Sequence, residues 1–254
     1  MKVLIMAGHS TSGYIGSGAS KYLDESNETR RLGPKVVSHL KTLGVDADYI
    51  CLDKPRTAKY LNEQVALANS KGTYDVVVQI HFNAGSSDPN SNTTGTETYY
   101  ASNQGKPYSD RVNAKLSTLF KNRGSKKDTR GLYWLKYTKC PAILIEVCFV
   151  DDKDDAKIYL SNIDKTARLI AEGIANKATS AQPVQPTPQP TDSFKVKVIC
   201  DDLNIRKEPS AKATIVGQVN SGEVFTIVET KGVWGKLKSN LGWINISSKY
   251  CKKL

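Results

Sequence analysis

The chain has 254 residues and a net charge of +11, which arises from 36 basic and 25 acidic side chains. Hydrophobic residues make up 39% of the chain, which is enough to form a core and excludes a wholly disordered protein. No stretch approaches the roughly 18 consecutive apolar residues that a membrane-spanning helix needs, so we expect no membrane insertion.

The first two thirds of the chain alternate between strand and helix patterns. Apolar or β-branched runs predict strands at 2–7, 46–51, 75–84, 95–101 and 142–150. Apolar residues at helical spacing predict helices at 31–43, 58–71, 108–121 and 163–177. This alternation predicts an α/β fold with a mixed, largely parallel sheet flanked by helices.

A change of composition separates two predicted domains. Residues 178–193 contain four prolines and no aromatic residue, and such a segment is extended rather than packed. We therefore predict a front domain at 1–177, a Pro-rich linker at 178–193 and a tail domain at 194–254. Both domains carry more basic than acidic residues.

The tail domain consists of short β-rich runs separated by turn residues. Strands are predicted at 195–199, 215–219, 224–229, 234–237 and 242–246. A spacing of about ten residues is typical of a small all-β barrel. The tail contains Trp234 and Trp243, and each is interpreted either as a core residue or as an aromatic contact for a ligand.

The charge and the cysteines limit the possible partners and the compartment. A positive excess favours nucleic acid, an anionic lipid or an anionic cell-wall polymer, but the basic residues are dispersed and no nucleic-acid motif is present. Residues 1–8 lack the features of a secretory signal, which predicts cytoplasmic synthesis without a signal peptide. The five scattered cysteines have no metal or redox spacing and indicate reduced thiols, with a Cys200–Cys251 bridge left open.

Three ionisable side chains stand at or near the ends of predicted strands. His9 follows the first strand, and His81 and Glu146 lie late in two others. Because the carboxyl ends of parallel strands share one edge of a sheet, we expect these side chains to lie together. Two histidines and a further ligand match a catalytic zinc site, in which Glu146 would be the general base. The remaining histidine, His39, lies in mid-helix and is interpreted as structural.

The third metal ligand is expected among the acidic residues after His9. Extrapolation of the helix 31–43 at about 100° per residue places Glu25 on the apolar stripe and Glu28 at its edge. Pro34 disfavours a continuous helix across this region, so Glu28 remains an alternative to Glu25.

The order of these segments resembles a known family. MAGHS, an acidic residue about sixteen positions later, IHFNA and IEVCFVDDKDD resemble the zinc-dependent N-acetylmuramoyl-L-alanine amidases of bacterial autolysins and phage endolysins. The resemblance covers the front domain and implies that His9, Glu25 and His81 bind zinc. It further implies that Glu146 carries catalysis and that Asn83 contacts the substrate.

The tail resembles bacterial SH3-type domains in the segments LNIRKEPS, VNSGE, VWGKLK and GWI. This resemblance implies an SH3-like barrel that binds the cell wall. Trp234 and Trp243 are the candidate contacts to peptide or sugar.

The two resemblances together imply a peptidoglycan hydrolase that cleaves the amide bond between N-acetylmuramic acid and L-alanine with zinc-activated water. Its expected partners are bacterial peptidoglycan and an anionic cell-wall polymer. A phage endolysin is favoured, made in the bacterial cytoplasm and acting on the wall after the membrane is permeabilised. A zinc endopeptidase or carboxypeptidase of peptidoglycan and a non-catalytic wall-binding protein remain the alternatives.

Overall fold

The structure is a computed structural model that describes residues 1–85, 94–177, 193–238 and 241–254. The chain divides into two compact units, Met1–Ser180 and Ala181–Leu254. All of the predicted linker except Ser193 lies outside the described residues. Within the described ranges, no helix combines the length and the apolar character that crossing a membrane requires.

The first unit contains one six-stranded sheet. Its strands are β1 (Lys2–Ala7), β2 (Asp46–Ile50), β3 (Val76–Asn83), β4 (Thr96–Tyr100), β5 (Asn122–Lys127) and β6 (Ala142–Phe149). They lie in the order β2-β1-β3-β6-β4-β5, and only the β4–β6 pair is antiparallel. The predicted mixed, largely parallel sheet of an α/β fold is confirmed.

Helices cover both faces of this sheet. They are α1 (Glu25–Thr42), α2 (Tyr60–Asn69), α3 (Lys106–Leu116), α4 (Tyr133–Tyr137), α5 (Lys153–Ser161) and α6 (Ile163–Ala175). Consecutive strand residues point to opposite faces, so Ile145 packs with Ile170 of α6 while Leu144 packs with Trp134 of α4. Each fully buried aliphatic side chain of this kind stabilises the fold by about 1.5–3 kcal/mol.

The first helix begins six residues earlier than predicted. α1 begins at Glu25 because the side chain of Asp24 caps it and accepts a hydrogen bond from the backbone N–H of Asn27 at 2.9 Å. Pro34 lies inside the helix at an exposed position, so the expectation that it interrupts the helix is wrong. The buried stripe that includes Leu32 and Leu40 outweighs the one backbone hydrogen bond that proline cannot make.

Three elements of the first unit had no counterpart in the prediction. β5 has the sequence NRGSKK, which contains no apolar residue. It lies at the edge of the sheet, where a strand pairs with a neighbour on one side only. The short helices α4 and α5 were also absent, and the predicted helix 108–121 corresponds to the shorter α3.

The second unit is a sheet of seven antiparallel strands. They are β7 (Phe194–Val198), β8 (Leu203–Arg206), β9 (Ile215–Val219), β10 (Val224–Lys231), β11 (Trp234–Leu237), β12 (Trp243–Asn245) and β13 (Cys251–Lys253). β8 and β13 were not predicted. A core that includes Val198, Ile227 and Ile244 supports the small all-β domain. All five cysteines lie in described segments and are free thiols, so no bridge joins Cys200 to Cys251.

The position of Pro34 gives a prediction about stability. Pro34→Ala restores the missing backbone donor and removes the ring from the interior of α1, so the free energy of unfolding should rise by about 1–2 kcal/mol, after allowance for the looser unfolded chain. Urea denaturation measures this change. Lys35→Ala is the matched control, expected within about 0.5 kcal/mol of the parent. An unchanged or lower stability of Pro34→Ala would mean that α1 is interrupted at this residue.

Candidate active site

The carboxyl ends of β1, β3 and β6 bring the predicted site residues to one edge of the sheet. β1 pairs with β3 in parallel, and β3 pairs with β6 in parallel. His9 follows β1, His81 lies near the end of β3, and Glu146 lies directly beside His81 in the strand register. His9, His81 and Glu146 therefore meet at the edge of the sheet that the sequence predicted.

His9 is held in one orientation by the loop that follows it. Its backbone has a positive φ of 62°, which is uncommon for a residue with a side chain and marks a sharp turn after β1. Its Nδ1 lies 2.9 Å from the carbonyl oxygen of Gly16 and donates a hydrogen bond to it. This bond turns Nε2 of His9 towards Glu25 Oε1, which lies 2.9 Å away and accepts a hydrogen bond from it.

Glu25 is the point of convergence of the site. Its side chain is 3% exposed, and Oε1 lies 3.1 Å from Nδ1 of His81 and accepts a hydrogen bond from the backbone N–H of Phe82 at 3.0 Å. Oε2 accepts a hydrogen bond from the backbone N–H of Ala19 at 3.1 Å. Burial would raise the pKa of Glu25, but the hydrogen bonds from His81 and His9 hold that pKa well below its usual value.

The alternative ligand Glu28 does not join this group. It lies one turn further along α1, and its carboxylate approaches Arg31 at 3.5 Å. His39 also lies apart, with Nε2 at 3.2 Å from the carboxylate of Asp164 in α6. This contact agrees with the structural interpretation of His39.

Two glycines allow the site to be this compact. A Cβ on Gly8 would lie 2.5 Å from the imidazole ring of His81, and a Cβ on Gly18 would lie 2.5 Å from Glu25 Oε2. Gly18 also has a φ of +80°, which a side chain would strain. Any other residue at these positions would push the ligand side chains apart.

The three converging side chains form a possible metal site. His9, Glu25 and His81 each offer one ligand atom, and these atoms lie within 4.8 Å of one another. Two imidazole nitrogens and a carboxylate oxygen are a donor set typical of catalytic zinc, and three protein ligands leave coordination positions for water and substrate. The hydrogen bond from Nδ1 of His9 to the carbonyl oxygen of Gly16 orients the ring and fits the same role.

Glu146 stands beside this group with an unsatisfied carboxyl group. Its Oε2 is buried and has no hydrogen-bond partner within the described parts of the chain. Burial and the negative charges of Glu25 and Glu97 raise the pKa of Glu146 to about 8, and Arg130 opposes them only in part. A carboxyl group in this state is suited to exchange a proton with a reacting group.

A second buried carboxylate, Glu97 on β4, was missed by the sequence analysis. Its side chain is 3% exposed, and Oε1 accepts hydrogen bonds from Asn83 Nδ2 at 2.8 Å and the Tyr99 hydroxyl at 2.9 Å. Oε2 accepts hydrogen bonds from Arg123 Nε at 3.0 Å and Lys126 Nζ at 2.5 Å. Glu97 therefore fixes the amide of Asn83. Its signal in the sequence, one acidic residue in the run TETYY, was too weak to single it out.

In the second unit, the two tryptophans have different surroundings. Trp243 is buried at 8% exposure and belongs to the interior. Trp234 is half-buried and lines a groove of about 260 Å³ together with Asp201, Arg206 and Tyr250. Only Trp234 therefore offers appreciable surface to a ligand.

Comparison with known proteins identifies both units. Residues 3–176 match the N-acetylmuramoyl-L-alanine amidase family, and residues 201–252 match the family of bacterial SH3 domains. An uncharacterised protein of Clostridium perfringens is 30% identical over 242 residues, which cover 90% of this chain and 69% of that protein.

Two further proteins are similar to this chain. N-acetylmuramoyl-L-alanine amidase LytC of Bacillus subtilis is 32% identical over 116 residues, covering 44% of this chain and 23% of LytC. The catalytic domain of the CD27L endolysin, which targets Clostridia difficile, has a TM-score of 0.63 and 34% identity, covering 70% of this chain and 98% of that domain. The chain therefore belongs to the N-acetylmuramoyl-L-alanine amidase family and carries a bacterial SH3 domain behind its amidase domain.

Proposed function

We propose that this chain is a zinc-dependent peptidoglycan amidase that cleaves the bond between N-acetylmuramic acid and L-alanine, with Glu146 as its catalytic acid–base residue. The observation that carries the proposal is the convergence of His9 and His81 on Glu25 Oε1, within 3.1 Å, beside Glu146, whose Oε2 has no hydrogen-bond partner among the described residues. Membership of the amidase family supplies the bond that is cleaved.

His9, Glu25 and His81 would hold the zinc ion. When bound, zinc supplies a Lewis acid that lowers the pKa of water and polarises a carbonyl oxygen. Hydrogen bonds from the backbone of Ala19 and Phe82 keep the carboxylate of Glu25 in place, so the ligand set needs little rearrangement.

Glu146 moves the proton. Its Oε2 takes a proton from the attacking water and returns it to the nitrogen of L-alanine as the amide bond breaks, which leaves a carboxylic acid on the muramic acid and a free amine on the peptide. Burial and the negative charges of Glu25 and Glu97 raise the pKa of Glu146 in the metal-free site, and this favours a carboxyl group that holds the proton until the nitrogen leaves. Asn83, held by Glu97, presents its amide to the substrate beside this carboxyl group.

The SH3 domain would bind the cell wall through the groove that Trp234 lines. The ring of Trp234 beside Tyr250 provides flat apolar surface, and Asp201 and Arg206 provide charged contacts for a wall peptide or sugar. The net charge of +11 further favours attraction to an anionic cell-wall polymer. The similarity to the CD27L catalytic domain supports a role as a phage endolysin.

Product analysis tests the bond that is cleaved. Digestion of purified cell wall should release stem peptides that begin with a free L-alanine amine and leave intact glycan strands, as measured by mass spectrometry. A chelator should abolish the release and added zinc should restore it, because the metal can be removed from an exchangeable site. Cleaved cross-links with stems still attached to glycan would instead show an endopeptidase that uses the same metal site.

Substitutions of three glutamates separate metal binding from proton transfer. Glu146→Gln should retain zinc but lose at least about 100-fold in wall hydrolysis, because an amide cannot accept the proton. Glu25→Gln should lose zinc, whereas Glu28→Gln should keep both zinc and activity. Zinc content and the rate of wall clearance are measured on the same samples. Clearance at the parent rate by Glu146→Gln would refute its assignment.

Trp234→Ala tests the wall-binding groove. Loss of an aromatic anchor should weaken co-sedimentation with cell walls at least about tenfold, while hydrolysis of a soluble muropeptide stays unchanged. Val233→Ala is the matched control, because Val233 is the neighbouring residue, is 51% exposed and does not line the groove. Equal wall binding by the parent and both variants would show that the groove is not the contact surface.

A further inference from the structure

Three cationic side chains gather on the side of Glu146 that faces away from the metal ligands. They are Arg123 and Lys126 on β5 and Arg130 in the loop that follows, and they are called the basic cluster below. The positive net charge of the chain does not by itself place cations here, and the proposed metal chemistry does not require them.

Strand register places the basic cluster next to the reacting centre. Glu97 on β4 lies directly opposite Glu146 on β6, and Lys126 on β5 lies opposite Tyr99 on β4. At about 4.8 Å per strand, β5 runs roughly 10 Å from β6, and the long side chains of the cluster shorten that distance. Arg130 lies close enough to Glu146 to lower its pKa.

The buried carboxylate of Glu97 anchors two members of the cluster. Arg123 Nε and Lys126 Nζ both donate to Glu97 Oε2, at 3.0 Å and 2.5 Å. The side chain of Lys126 is nevertheless 40% exposed and that of Arg123 33% exposed. The side chains of Arg123 and Lys126 are thus held by Glu97 and remain partly exposed to solvent.

Aromatic rings and a turn fix the cluster further. The guanidinium of Arg123 lies 4.9 Å from the ring centre of Phe149, and that of Arg130 lies 4.5 Å from the ring centre of Tyr99. Asp128 accepts a hydrogen bond from the backbone N–H of Arg130 at 3.0 Å and so positions its loop. Cations that are held in place lose less entropy when they bind an anion.

The charges of the cluster are not balanced. Arg123 and Lys126 share the one carboxylate of Glu97, and within the described ranges no other carboxylate forms an ion pair with Arg123, Lys126 or Arg130. Among the described residues, the cluster therefore has more positive than negative charge, and the excess is available to a ligand. Guanidinium and ammonium groups that lie near one another are suited to bind a carboxylate.

We propose that the basic cluster binds a free carboxylate on the second residue of the stem peptide. This inference rests on the proposed function, since it takes the scissile bond to lie at Glu146. The L-alanine next to that bond is uncharged, and the following residue carries its α-carboxylate either free, as D-glutamate, or amidated, as D-isoglutamine. Two residues of extended chain span about 7 Å, which matches the reach from β6 to the cluster. The enzyme is then selective for stems that are not amidated at this residue.

The test compares two soluble disaccharide-peptides that differ only in this group. Both have an amidated C-terminus, and the second residue is D-glutamate in one and D-isoglutamine in the other. The parent protein should cleave the acid with a kcat/KM at least about tenfold above that for the amide, with most of the difference in KM. Lys126→Met and Arg130→Gln should each bring this ratio towards one.

Lys127→Met is the matched control. Lys127 is the next residue of β5, is exposed and points to the opposite face of the strand, so the same loss of charge should leave the ratio as in the parent. Thermal unfolding midpoints of the variants show whether each remains folded. A ratio that falls equally in Lys127→Met would mean that only net charge matters and would overturn the inference.

The remaining outcomes separate this inference from the proposed function. If the parent cleaves neither compound nor purified wall, the proposed function fails and the inference fails with it. If the parent cleaves both compounds with equal kcat/KM, the proposed function stands and the carboxylate site is refuted. If the two compounds are cleaved equally and free inorganic phosphate inhibits the parent but not Lys126→Met, the cluster binds a phosphate group and not the stem, and the inference is overturned.

Discussion

The carboxylate of Glu25 is the contact on which the arrangement of the site depends. A buried negative charge is costly unless every lone pair has a partner. Glu25 meets this requirement with His9, His81 and the backbone N–H groups of Ala19 and Phe82, which belong to different parts of the sheet edge. The start of α1, the turn after β1 and the end of β3 are therefore tied to one another through this one carboxylate.

Three carboxyl groups at this edge have different properties because their surroundings differ. Glu25 has two imidazoles and two backbone donors, and Glu97 has two cations and two neutral donors, so the pKa values of both are lowered. Glu146 lies between them, its Oε2 has no donor in the described part of the chain, and burial together with its two charged neighbours raises its pKa. The groups that stay charged thus keep the third one ready to exchange a proton.

The sequence predicts those parts of the site that follow from regular patterns. His81 and Glu146 lie in long apolar strands, and parallel strands place their carboxyl ends together, so their meeting was foreseen. Pro34 made it uncertain whether α1 begins as early as residue 25. The local cost of proline can be seen in the sequence, whereas the burial that compensates for this cost is seen only in the structure. The role of Glu97 was missed because its cationic partners lie on β5, whose polar sequence has no periodicity from which a strand could be predicted.

The order of the strands distributes the chemistry across the sheet. β3 carries His81, β6 carries Glu146 and β4 carries Glu97, so neighbouring strands place the candidate metal ligand, the proposed proton-transfer group and the anchor of the cations side by side. A slip of one residue would turn each side chain to the opposite face, which makes the register itself a functional constraint. The irregularity between β3 and β6 sets Asn83 opposite Phe149, and from there its amide reaches Glu97 across β6. This bulge thereby joins β3, which bears His81, to the hydrogen bonds of Glu97 that hold Arg123 and Lys126.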